Sequence, residues 1–139
     1  MSIKPEDYEI DSSYGHWKGD KAEDYIGPFF FVMDGENTRT AFRVQEHHCN
    51  AHDSLHGGVM MALADYTLCL CANGGETESV VTVSCNSEFI GPAYKGDLVE
   101  GRGELTRRGG SMVFSRCELF VGETVVLTSS AVIKRIRRK

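Results

Sequence analysis

One carboxylate stands alone on an apolar stretch of this chain. Between Gly57 and Gly75 only Asp65 carries a formal charge, and its sequence neighbours include Met60, Met61, Leu63, Leu68 and Leu70. Carboxylates are seldom fully buried unless paired, because a charge removed from water without a partner is costly. Asp65 therefore lies at a solvated seam or serves as a base or nucleophile. Just upstream, a polar loop holding His47, His48, Cys49, Asn50, His52, Asp53 and His56 runs into the pair Gly57-Gly58. Glycines that open a helix present backbone N–H groups without internal partners, where the helix dipole favours negative charge. With no Cβ, they also let a bulky ligand approach the backbone. Such donors suit an oxygen that gains negative charge during acyl transfer, and a carboxylate suits activation of water.

Other residues in this region carry weaker signals. His47, His48, Cys49, His52 and His56 match no standard zinc spacing, and no second cluster completes four ligands, so no metal is expected. His56 reads first as a helix-start residue that orders the loop by hydrogen bonding, ahead of a general base. Asn50 taken alone is a turn residue, and Thr82 taken alone is ordinary strand filler. Cys69 and Cys71 read as small apolar core residues rather than nucleophiles. Met60, Met61 and Tyr66 are core residues first and pocket lining second.

The elements that must hold these residues follow from periodicity. Residues 57–73 are apolar around most of a helix circumference, which predicts a buried central helix. Asn73-Gly74-Gly75 ends it with residues that accept left-handed backbone. From Ser79 onward the pattern alternates with period two over residues 80–90, 98–107, 111–121 and 124–136. Breakers lie at Gly91-Pro92 through Gly96-Asp97, at Arg108-Gly109-Gly110 and at Gly122-Glu123. These four strands predict an antiparallel meander. Upstream, residues 29–33 and 38–45 flank a Gly35-Glu36-Asn37 turn and predict a first hairpin, with Thr40, Phe42 and Val44 on one face. Residues 1–28 predict an arm with one short helix, whose aromatics Tyr8, Tyr14, Trp17 and Tyr25 cover part of the body. The expected organisation is an arm over 1–28 and a single domain over 29–139. Its fold class is α+β, a curved antiparallel sheet wrapped around one long central helix.

The run Asn50-x-x-Asp53-x-x-His56-Gly57-Gly58, followed by Leu63-Ala64-Asp65, resembles the signature of hotdog-fold acyl-CoA thioesterases of the phenylacetate-pathway (PaaI-like) type. Thr82 and the Phe89-x-Gly91-Pro92-Ala93 segment resemble the strand that follows the helix in that family. The resemblance implies the hotdog fold and hydrolysis of an acyl- or aryl-CoA to the free acid and coenzyme A. It calls for no cofactor, since coenzyme A is part of the substrate. It implies that Gly57 polarises the thioester carbonyl, that Asn50 positions substrate or water, and that Asp65 is the general base or nucleophile. Thr82 would hydrogen-bond near the water, and His56 would organise the loop. Gly58 and Met61 fall beside the expected substrate. Arg107, Arg108 and Gly109 form a hairpin turn first, and the two guanidinium groups suit coenzyme A phosphates second. Asp53 departs from the family's loop glycine, although aspartate tolerates left-handed backbone better than most residues. Gly110 stands where some relatives carry a basic residue. The alternative is a non-catalytic acyl-CoA-binding or sensor module on the same fold; Asp65 together with Asn50 favours catalysis.

Helix geometry adds a constraint. Asp65 follows Gly57 by eight positions, which sets them about 12 Å apart along the axis. A nucleophile must come within ~3–3.5 Å of the carbon it attacks. Two helices packed antiparallel across a two-fold axis would bring Asp65 of one chain near Gly57 of the other. A homodimer with two shared sites is expected, with a dimer of dimers as a further step.

Composition narrows the setting. The chain of 139 residues fits one domain, and its hydrophobic share of 41% and charged share of 25% are those of an ordinary soluble protein. A formal charge of −5 gives no case for nucleic-acid binding. Lys134, Arg135, Arg137, Arg138 and Lys139 crowd the end of the sequence, read first as solvated residues and second as a weak phosphate-attracting patch. Five cysteines, an odd number without paired C-x-x-C spacing, point to a reducing, cytoplasmic setting. The acidic, polar start shows no signal peptide, and the apolar run over 59–72 is too short to span a bilayer. Neither a membrane nor a nucleic acid is expected as a partner.

Overall fold

Helix α2 spans Gly57–Asn73, and its start and stop are both set locally. His56 holds extended backbone and its side chain accepts from the Gly58 N–H, while Gly74 closes the last turn at φ 66°. The computed structural model describes residues 2–34, 37–76 and 78–136. Gly35 and Glu36 of the expected first turn, and Arg137, Arg138 and Lys139 of the basic run, lie outside them.

The strands are β1 Phe30–Asp34, β2 Asn37–Arg43, β3 Ser79–Phe89, β4 Leu98–Arg108, β5 Met112–Val121 and β6 Thr124–Ile136. They form one antiparallel sheet in the order β1-β2-β4-β5-β6-β3. The expected four-strand meander is therefore corrected. Only β4, β5 and β6 follow one another in space, and β3 pairs with β6 at the edge of the sheet opposite β1. The physical reason is the connection after β3, which does not fold back as a tight turn. The N–H groups of Ile90 and Gly91 both donate to the Val126 carbonyl, and Leu55 N–H donates to Ala93. These bonds carry the chain along the end of the sheet before β4 begins.

The core lies between α2 and one face of the sheet. Val99 on β4, Val113 and Leu119 on β5, and Leu127 and Ile133 on β6 are fully buried with Leu63, Ala64 and Leu68 of the helix. Gly101 and Gly103 allow close approach: a Cβ at Gly101 would lie 3.1 Å from Thr67 Oγ1, and one at Gly103 would collide with Cys71 Sγ. Polar groups at this seam are satisfied. Thr67 donates to the Leu63 carbonyl at 2.8 Å, and Thr40 and Thr67 share a hydrogen bond of 2.8 Å.

The arm contains a 3-10 turn at Pro5–Tyr8 and a short helix, α1, at Lys21–Ile26. It is fastened at several points, but Tyr25, expected to cover part of the body, projects from the short helix and is 87% exposed. Ile10 packs with Phe30 and Ala41 in a small second cluster joined by Tyr8 and Tyr14. Arg43 donates to the carbonyls of Tyr8 and Glu9, Gly15 bridges to Phe31, and Trp17 lies 6.0 Å from the Phe31 ring. Among the described residues, no helix is long and apolar enough to cross a membrane.

Candidate active site

Asp65 sits on the one stripe of α2 that the sheet leaves partly open. Met61, Ala62, Asp65 and Cys69 are half-buried there, whereas Leu63, Ala64, Tyr66, Thr67 and Leu68 are buried. This three- and four-residue spacing is that of a single helix face. Thr82 Oγ1 donates to Asp65 Oδ1 at 2.5 Å. Cys69 Sγ, one turn along, lies 3.8 Å from Asp65 Oδ1 and 3.4 Å from Thr82 Oγ1. Asp65 Oδ2 has no partner among the described residues.

Thr82 reaches Asp65 because of a break in β3. The β3–β6 register slips between Thr82 and Ser84, which makes Val83 an extra residue. Val80 packs on the core before the bulge and Cys85 after it, and Ser87 bonds Ser129 at 2.7 Å. A bulge re-aims side chains in this way. Here it allows Thr82 and the later odd-numbered residues to face the same helix.

At the other end of α2 the loop residues hold one another. Asn50 Oδ1 accepts from His52 N–H at 2.8 Å, Ser54 N–H at 3.2 Å and Ser54 Oγ at 3.2 Å. Asp53 takes left-handed backbone at φ 61°, the conformation a glycine would adopt freely. His56 Nδ1 accepts from Gly58 N–H at 2.8 Å. That bond engages the Gly58 N–H in the helix cap. Gly57 N–H has no partner among the described residues, and the Phe89 ring lies 3.1 Å from where a Gly57 Cβ would stand. His48 is buried on Phe42, with ring centroids 4.6 Å apart. Its Nδ1 accepts from Gln45 N–H, so Nε2 carries the proton and donates to the Gly27 carbonyl at 3.1 Å. Burial, followed by His47 nearby, holds its pKa below the usual histidine value.

An open cleft of about 870 Å³ lies between the arm and α2. Its walls include Trp17, Lys21 and Glu23 from the arm, Asp65, Tyr66 and Cys69 from α2, and Val80 and Thr82 from β3. The structure thus brings Asp65 and Thr82 together. It sets Asn50, His56, Gly57 and Gly58 at the far end of the helix, outside this cleft. Met61 packs against the core and does not line the cleft. Arg107 and Arg108 are exposed where β4 ends, and Gly109 N–H closes that turn on the Met112 carbonyl at 2.8 Å; none of the three lines the cleft. A second groove of about 710 Å³ on the outer face of the sheet runs among Arg39, Arg102, Glu104 and Glu118. Its carboxylates are engaged within the groove, Glu88 accepting from Thr128 Oγ1 at 2.9 Å and Glu104 from Arg116.

Sequence reasoning missed the arm's share of the cleft. The pattern Asp20-x-x-Glu23 is a helix-start signal, and Asp20 does accept from Glu23 N–H at 2.9 Å. Nothing in it says that the helix faces Asp65. Burial and then Asp65 push the Cys69 thiol up to about 12, so it stays a thiol at neutral pH and is no nucleophile. Tyr66 is buried between Phe29 and Phe31, and its hydroxyl finds no hydrogen-bond partner among the described residues. Among the described residues, no group of three or more His, Cys, Asp or Glu side chains is placed to hold a metal ion.

A curved antiparallel sheet wrapped around one long helix, with β3 beyond β6, defines the hotdog fold. The chain belongs to the thioesterase superfamily, whose pattern matches residues 52–128. It is 33% identical over 112 residues to a Pseudomonas aeruginosa protein named "Putative esterase PA0474", covering 78% of this chain and 84% of that one. Among solved structures, the TT0310 protein of Thermus thermophilus superposes with a TM-score of 0.76 at 24% identity, covering 85% of this chain and 99% of that one. The E. coli PaaI protein, from the phenylacetic acid degradation operon, superposes with a TM-score of 0.76 at 21% identity, covering 85% and 86%. The resemblance read from the sequence and the architecture therefore agree on one superfamily and one fold.

Proposed function

We propose that the protein hydrolyses an acyl- or aryl-CoA thioester to the free acid and coenzyme A, with Asp65 as the base or nucleophile. The observation that carries this proposal is the Asp65–Thr82 pair, a half-buried carboxylate whose one oxygen is held by a hydroxyl while the other has no partner among the described residues. A charge-assisted bond of this kind fixes the carboxylate's direction. Acting as base, Oδ2 takes a proton from water as the water oxygen bonds to the thioester carbon. The carbonyl oxygen gains negative charge, and the C–S bond then breaks with its electron pair on sulfur. Gly57 N–H, at the helix start, suits the oxygen that becomes negative. No cofactor enters these steps. Arg107 and Arg108 stay as candidates for the coenzyme A phosphates by charge alone.

Gly57 and Asp65 lie too far apart on one helix to serve one thioester, so the site we propose is shared between two copies. Two surfaces support that arrangement. The half-buried stripe of α2 through Met61 and Asp65 is one. The free edge of β3 is the other, with Val81, Val83 and Phe89 exposed by 47%, 56% and 58%. A sheet edge left open with exposed apolar side chains invites pairing with another strand. Pairing β3 with β3 of a second copy across a two-fold axis would set the α2 helices side by side and antiparallel, closing the 12 Å gap.

A thiol-release screen of the full chain over short, long and aryl CoA esters tests the proposal. Turnover of at least one class is expected. Saturable binding of these esters without turnover of any would instead favour a binding or sensor module.

A further inference from the structure

We propose that Glu23, carried by the arm helix into the cleft of Asp65, is a second functional carboxyl of this site and delivers a proton to the departing sulfur. The inference rests on the thioesterase function proposed above and adds a residue to it from outside the region the superfamily pattern matches.

The placement is structural and not that of a loose tail. Asp20 caps α1 on Glu23 N–H, Gly15 pairs with Phe31 ahead of it, and the Gly27 carbonyl behind it bonds the buried His48. Glu23 is half-buried, and it lines the same cleft as Asp65, Cys69 and Thr82. The groups around it are named readily. Asp20 caps its helix and Asp24 lies on it, with Asp24 bonded to His16 at 2.6 Å. Lys18 and Lys21 are exposed on the arm's rim of the cleft. Asp65, Tyr66 and Cys69 face it from α2, and Glu78, which accepts from Arg135 at 2.7 Å, lies ahead of β3.

Burial first, and then the charges of Asp20 and Asp65, push the Glu23 carboxyl up to about 8. At neutral pH it therefore holds a proton. Two carboxyl groups whose surroundings treat them differently can divide into an acid and a base within one cleft. Tyr66, whose buried hydroxyl has no hydrogen-bond partner among the described residues, stands beside them. It is 3% exposed, lines the same cleft, and would cost free energy if it stayed unbonded.

The step balances without an added reactant. Water's oxygen bonds to the thioester carbon as one of its protons passes to Asp65. The C–S bond breaks with its electrons on sulfur, and the Glu23 proton bonds to that sulfur. The proton on Asp65 then returns to Glu23, leaving acid, thiol and the starting enzyme.

The test is kcat and KM against pH for the full wild-type chain, Glu23→Gln, and Tyr25→Ala as a control on the same helix, where Tyr25 is 87% exposed. Because the active form carries the Glu23 proton, wild-type kcat should fall as pH rises through about 8. Glutamine keeps the shape of the neutral carboxyl but cannot supply the proton. Glu23→Gln should lower kcat on the order of 10²-fold with KM little changed, and the basic limb should vanish. Tyr25→Ala should match the wild type. A Glu23→Gln enzyme that keeps its kcat within about twofold, or one that loses activity but keeps the limb, overturns the proposal. Carbon-13 titration of Glu23 in the wild-type chain needs no variant: a midpoint near 8 supports the assignment, and an ordinary carboxylate midpoint overturns it. Absence of hydrolysis by the wild type sinks the thioesterase function itself, which separates that failure from failure of Glu23 alone.

Discussion

Asp65→Asn is expected to lower kcat by roughly 10²–10⁴-fold on any CoA ester the protein turns over, with KM little changed. Asparagine has nearly the shape of aspartate, and its carbonyl can still accept from Thr82, whose bond to Asp65 Oδ1 measures 2.5 Å. What it lacks is the second oxygen's capacity to take a proton or attack carbon. The substitution thus separates chemistry from packing. Asp65 bonds only Thr82 and, weakly, Cys69 among the described residues, so the melting temperature should barely move. A carboxylate that merely kept a wet seam soluble would predict the reverse, an active enzyme with altered stability. Thiol release and a thermal melt on the same preparation distinguish the two.

Val83→Lys should have an effect of similar size by another route. Val83 is the bulged residue of β3, 56% exposed on the free edge of the sheet. In a two-fold interface the substitution occurs twice, so two ammonium groups would meet across a short apolar seam. Each buried valine that is lost removes about 1.5–3 kcal/mol of apolar burial as well. Charged edge residues are the device by which sheets avoid pairing. The expected result is a monomer by analytical ultracentrifugation, with hydrolysis near background although Thr82 and Asp65 are untouched. A Val83→Lys protein that remains dimeric, or a monomeric one that remains fully active, would remove the case for a shared site.

How much of this was legible in the sequence varied with the range of the interaction. The bounds of α2 could be read to the residue because both ends are local: a capping His56 before two glycines, and Gly74 in left-handed backbone after Asn73. The strands could be read because one buried face imposes period two. Their order could not. Alternation says that a segment is a strand and nothing about its neighbour, so β3 was expected beside β4 when it lies beside β6. In the site, Asp65 stood out because charge is rare on a buried helix. Thr82 gave almost no signal, since a threonine in a strand is common and the bulge that aims it is set by pairing with β6. The cap bond at Gly58 was hidden for the opposite reason. Two adjacent glycines look like two free donors, and only the structure reveals that His56 occupies one of them. Glu23 was invisible, because the contact between arm and helix joins residues far apart in the chain.

The central claim is that a thioester held at Gly57 of one copy is served by Asp65 of another, and subunit mixing tests it most directly. Asp65→Ala and Gly57→Val are each expected to be inactive as pure proteins, the second because its side chain would crowd Phe89 and the substrate oxygen. After equal mixing and exchange, half the dimers are mixed, and each mixed dimer holds one wild-type pair of Gly57 and Asp65. Recovery of about a quarter of wild-type activity is therefore predicted for a two-fold dimer. A mixture no more active than its inactive parents, with exchange confirmed by mass, would contradict the shared site.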